Sequence, residues 1–100
     1  MDIRPEQDLK DEKPLMSAIG VKEQIDIYPG RVIIRGRGLS NSLDIRADLK
    51  PSEIKSILIK PAGTLYDGNI TINARGIKFM VAFKAYSQPD FEQVKVLLAK

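Results

Sequence analysis

The chain reads as mostly β: a bent antiparallel sheet or partly open barrel of six to seven strands, capped by one C-terminal α-helix. Three observations predict this. Between Val21 and Phe83 apolar residues recur with a period of two in five short runs, and a sixth is apolar on both faces. Clusters of Pro, Gly, Asn and Ser separate those runs. After Ser87 the period changes once, to that of a helix. A length of 100 residues, 43% hydrophobic and 29% charged, gives room for one globular domain and little for a second.

Residues 1–16 alternate charges without an apolar face, and Pro14 ends any turn begun after Pro5. They are expected to form a charged arm, flexible or loosely docked, ahead of a domain spanning 17–100. The first strand carries Val21, Glu23, Ile25 and Ile27 on one parity. Tyr28-Pro29-Gly30-Arg31 has the chemistry of a type II turn, Pro second and Gly third, and Val32 and Ile34 follow as the return strand of a hairpin. Gly36 to Ser42 is a loop by composition. Leu43, Ile45, Ala47 and Leu49 then alternate with Asp44, Arg46, Asp48 and Lys50, the pattern of a half-buried strand stopped by Pro51. Ile54, Ile57, Leu58 and Ile59 are apolar on both faces, which predicts a strand central to its sheet. Residues 61–68 form the longest loop. Ile70, Ile72 and Ala74, the turn Arg75-Gly76, and Ile77, Phe79, Val81 and Phe83 make a second hairpin. Phe91, Val94, Leu97 and Leu98 fall on one helical stripe. Ser87 is expected to cap this helix with Asp90 reciprocating, and Pro89 suits its first turn.

The runs Ile25–Ile34, Leu49–Ile57, Gly68-Asn69-Ile70-Thr71-Ile72 and Phe79–Phe83 before the helix together resemble the short bacterial pleckstrin-homology-like (PH-like) domains, over residues 18–100. The resemblance implies a strongly bent seven-stranded sheet with the helix plugging one end. It also implies self-assembly, since some relatives form rings through sheet-edge contacts. The chain departs from lipid-binding members at the first hairpin loop, which is only Pro29-Gly30 with Arg31 beside it, where those members carry several bases.

Composition narrows the chemistry. There is no cysteine, histidine or tryptophan, which excludes disulfides, thiolate catalysis, zinc–thiolate and iron–sulfur sites and the commonest general base. The net charge of +3 is uneven: residues 1–16 hold five acids and three bases, and the other 84 hold 13 bases and 8 acids. A body of about +5 favours weak contact with anions but falls short of a nucleic-acid footprint. No apolar run approaches the roughly 18–20 residues of a membrane span, and no signal peptide is read at the N-terminus. A cytoplasmic protein is expected.

Arg31, Arg35 and Arg37 share a parity, and Arg46 lies on the next strand. Arginine forks match oxyanions, so these four are the candidate anion site. The competing reading is a solvated strand face paired with Asp44 and Asp48. Gly36-x-Gly38-x-x-Asn41 is followed by a strand pattern, so it is a turn and not a phosphate loop. Asp44 and Asp48 are about 13 Å apart along a strand at ~3.3 Å per residue, too far to share a metal ion. Tyr66-Asp67-Gly68-Asn69 has too few ligands for calcium. Ser40, Ser42 and Ser52 lack a histidine, leaving only Lys50 or Lys55 as a base, with no spacing that favours either. Ile33, Leu58 and Met80 sit on the parity opposite to the best apolar set of their strands, and are the candidate interaction surface. The sequence therefore predicts a non-enzymatic protein-interaction or self-assembly module, a homo-oligomer or a binder of another protein, without cofactor, metal, nucleic acid or small-molecule substrate. The alternative is a peripheral adaptor for anionic lipid or another phosphate-bearing ligand.

Overall fold

The structure, a computed structural model, describes residues 13–37 and 43–99. The charged segment 1–12, the loop residues 38–42 with Ser40 and Ser42, and Lys100 lie outside the described residues. Seven strands form two antiparallel sheets. β1 (Met16–Ile19), β2 (Glu23–Tyr28), β3 (Arg31–Arg37) and β4 (Leu43–Leu49) follow one another in the first. β5 (Ile54–Lys60), β6 (Gly68–Ala74) and β7 (Ile77–Phe83) make the second. A 3-10 turn over Pro51–Glu53 joins the sheets, a second covers Ala85–Ser87, and helix α1 runs from Gln88 to Leu98. The barrel is not closed. The sheets meet where the Val21 amide donates to the Ala82 carbonyl at 2.8 Å, and α1 packs on β1 and β5.

Period-two burial builds the core. β6 alternates buried Gly68, Ile70, Ile72 and Ala74 with half-buried Asn69, Thr71 and Asn73. Ile25, Ile27, Val32, Ile34, Leu49, Val81 and Phe83 join them, and Phe91, Val94 and Leu98 of α1 complete the cluster. The rings of Phe83 and Phe91 stack at 4.6 Å between centroids, 15° from parallel, and fasten the helix to β7. The Pro29-Gly30 turn has the expected left-handed glycine, with φ of 72°.

Five sequence expectations change. The seventh strand is β1, which begins within the segment assigned to the arm: Leu15 donates its amide to the Ile27 carbonyl, and Met16 packs against the core. Strand β5 is an edge and β6 the centre, so the apolar residues on both faces of β5 do not reflect burial on both sides. In β4, Ala47 and Leu49 are buried but Leu43 and Ile45 are exposed. The pairing steps from Ile34↔Ala47 to Arg35↔Ile45, so Arg46 is an extra, bulged residue that reverses the parity. Leu97 is exposed, leaving Phe91, Val94 and Leu98 as the helix stripe. Ser87 occupies the N-cap position without a side-chain cap bond, because the preceding 3-10 turn feeds directly into the helix and its own amide donates to Lys84.

Candidate functional site

Register decides what the four arginines do. On the outer face of the first sheet Ile33 lies between Asp26 of β2 and Asp48 of β4. Two residues to either side of it on β3, Arg31 and Arg35 reach those carboxylates. Arg31 holds Asp48 through both arms, its Nε donating at 3.2 Å and its Nη2 to the second oxygen. Arg35 Nε donates to Asp26 at 2.7 Å and its Nη2 to the Tyr28 hydroxyl at 3.2 Å, while Gln24 donates to the other Asp26 oxygen at 3.0 Å. Burial pulls the Arg35 pKa down, but the bonds to Asp26 and Tyr28 outweigh it and the net shift is upward. Asp26 is 4% exposed, yet no buried side-chain polar atom among the described residues lacks a partner.

This lattice revises two expectations. Arg31 and Arg35 have carboxylate partners within the sheet and do not form a bare cationic patch. Ile33, expected on an interaction surface, is fully buried, clustered with Tyr28 and in register between Asp26 and Asp48. Arg37 and Arg46 part from the other two and share a hollow at the end of β2 and β3 with Lys22 and Glu23. The bulge makes Arg46 supernumerary, and Gly36 leaves room for it: a Cβ there would lie 1.7 Å from Arg46 Nε. Glu23 stands 4.0 Å from Arg46. Lys22 was not singled out by sequence, and Gly36, read there as a turn glycine, lies within β3 beside the bulge, which neither pattern nor spacing marks.

Leu58 and Met80 are exposed as expected, at 63% and 56%. Both pair with Thr71 of β6, so they form one row across the second sheet.

The residues that sequence missed lie at the end of the molecule where the β5–β6 loop meets the junction of β7 and α1. Leu65 is 95% exposed, Tyr86 85% and Tyr66 65%. They surround a hollow of about 300 Å³, which shares Lys84 and Tyr86 with a second of about 440 Å³ bordered by Ile19 and Val21. The loop that carries Leu65 and Tyr66 is pinned at three points, and Tyr86 stands on the 3-10 turn after β7. The Gly63 amide donates to the Tyr66 carbonyl at 2.9 Å, and the Tyr66 ring lies where a Cβ on Gly63 would come within 2.5 Å of it. The Ala62 amide donates to Gln88 of α1 at 2.9 Å. Lys84 pairs with Asp67 at 2.9 Å, and that hydrogen bond raises the lysine's pKa. The available signal was large apolar side chains inside a stretch that its prolines and glycines mark as a loop.

Among the described residues no three acidic side chains gather to hold a metal ion, and no helix is long and apolar enough to cross a membrane. Comparison with family models, curated proteins and solved structures finds no match to this chain.

Proposed function

We propose that this chain is a non-enzymatic assembly module that joins further copies of itself through the end bearing Leu65, Tyr66 and Tyr86. The observation that carries the reading is the fixed display of these three side chains beside two hollows of matching scale. Tyrosines are favoured at protein contacts because they bring large rigid area at low entropic cost. At about 150–250 Å² per aromatic, the exposed parts of Tyr66 and Tyr86 offer roughly 220–380 Å², against about 800 Å² per partner in a standard interface. They suffice for the centre of a contact, with Leu65, Ile19 and the polar rim supplying the remainder.

Shape and charge favour a second copy. Knob and hollow adjoin on one surface, so a two-fold operation sets the Leu65 of each copy against the other's recess. The charges around them are nearly balanced: Lys84 is neutralised by Asp67, and Asp90 lies at the far hollow. Two such ends meet without strong like-charge repulsion. Seven strands in sheets of four and three, with a terminal helix, agree with the likeness to PH-like domains, and we carry that kinship as part of the same proposal.

Light scattering between about 0.02 and 1 mM, the range in which weak complexes form, tests it. The mass rises above 11.2 kDa with concentration if the proposal holds. A constant monomer removes it. The anion-adaptor alternative now rests on Lys22, Arg37 and Arg46, because these share a hollow. Sedimentation with anionic and neutral vesicles tests it, and equal binding to both would exclude it.

A further inference from the structure

The two sheets treat the middle of their outer faces in opposite ways; on the first, Leu43 and Ile45 are exposed only beyond the bulge. In its middle, Ile33 is fully buried in register between Asp26 and Asp48, and Arg31 and Arg35 are matched by Asp48 and Asp26. On the second, Leu58 and Met80 stand open in register on either side of Thr71. Strands about 4.8 Å apart put the two side chains about 10 Å from one another. The rows that flank them carry Lys60 on one side and Lys78 on the other, two positions along their strands and on the same face. Strands β5, β6 and β7 contain no acidic residue, and neither lysine is ion-paired among the described residues. The acid nearest in sequence to β6, Asp67, is already held by Lys84.

Charge selects the occupant. A second copy set face to face would bring Lys60 and Lys78 against lysines again with no carboxylate between them, so this face repels itself. We infer that the outer face of β5–β7 docks an acidic polypeptide segment, which lays apolar side chains on the Leu58–Met80 row and carboxylates beside Lys60 and Lys78. Apolar contact supplies the affinity, and the two lysines select the sign of the partner's charge. Leu58, Lys60, Lys78 and Met80 are not among the residues that line the Leu65–Tyr86 end, so the inference does not depend on self-assembly.

The test is a titration of the full isotope-labelled chain, followed by its amide NMR signals. One probe is the peptide Glu-Glu-Leu-Thr-Leu-Glu-Glu, and the other is its twin with lysine in place of every glutamate. The acidic peptide shifts the amides of Leu58, Thr71 and Met80 with a Kd on the order of 1 mM, and added salt weakens it. The lysine peptide leaves them unmoved. Lys60→Glu with Lys78→Glu reverses the preference. Leu58→Ser with Met80→Ser, at exposed positions that leave the core intact, abolishes binding of the acidic peptide. The inference is overturned if the acidic peptide leaves these amides unmoved, if the lysine peptide binds as well, or if the charge reversal changes nothing.

Discussion

Replacing Arg35 with methionine separates a structural lattice from an anion site. The substitution keeps the length of the side chain and removes both bonds that Arg35 makes, to Asp26 and to Tyr28. Asp26 then keeps only Gln24, at 3.0 Å, while remaining 4% exposed. Removing one partner of a buried ion pair costs about 3–5 kcal/mol. The Arg35 side chain is 16% exposed and Gln24 retains part of the compensation, so the expected loss is about 2–3 kcal/mol. At about 4–8 °C per kcal/mol for a domain of this size, the melting temperature falls by roughly 10–20 °C. Guanidinium denaturation followed by circular dichroism reads the change, with an unaltered m-value showing that only stability moved. Arg37→Met is the control, because Arg37 is exposed and outside the lattice, and it stays within about 0.5 kcal/mol of the parent. A double-mutant cycle with Asp26→Asn returns a coupling of about 1–3 kcal/mol. If Arg35→Met also stays within about 0.5 kcal/mol of the parent, the lattice does not hold the sheet face and the argument fails.

Three further outcomes follow from the same geometry. Glu53 is held down to a pKa of about 2, chiefly by its hydrogen bonds from Arg75 and then by the Lys50 amide, so whatever the contact contributes is complete above 4.5 and lost as the pH falls from there through about 2. An NMR titration of Glu53 should find that low midpoint in the parent and a higher one in Arg75→Gln, moved toward the ordinary carboxylate range but still held down by the Lys50 amide. Alanine at Gly20 would put a Cβ 2.4 Å from the Ala82 carbonyl oxygen and force β1–β2 off β7, costing about 2–3 kcal/mol in denaturation, whereas at Gly36 it meets only the mobile end of Arg46 and costs less than about 1 kcal/mol. Phe91→Ala removes a fully buried ring stacked on Phe83 and should cost about 3–5 kcal/mol, measured the same way; a loss below about 1 kcal/mol would mean that the helix is not fastened through this pair.

How far the sequence was legible depends on whether a feature is local. The Pro29-Gly30 turn, the alternation of β6 and the switch of period before Phe91 are each set within a few residues, and each is found where the pattern puts it. Pairing is not local. The bulge at Arg46 follows from the register of β3 against β4, and it reverses which of Leu43, Ile45, Ala47 and Leu49 face inward. Strand order is likewise invisible to periodicity, so the doubly apolar β5 looked central while lying at an edge. Burial hid Ile33: its parity correctly marked the outer face, but only the structure joins Asp26, Arg35 and Tyr28 beside it and leaves it fully buried. Leu58 and Met80, with no such neighbours, stayed exposed as their parity implied. The Leu65–Tyr66–Tyr86 cluster joins two segments about twenty residues apart through Asp67, Lys84 and Gln88, and no window along the chain contains it.

The central claim is that this end of the molecule joins copies of the chain. The most direct measurement is sedimentation equilibrium on the parent and on Leu65→Ser with Tyr86→Ser, whose substituted side chains are exposed and whose fold is verified by circular dichroism. The account predicts concentration-dependent association beyond 11.2 kDa in the parent and a monomer in the variant. A monomeric parent at about 1 mM, or a variant that associates as strongly as the parent, would contradict it.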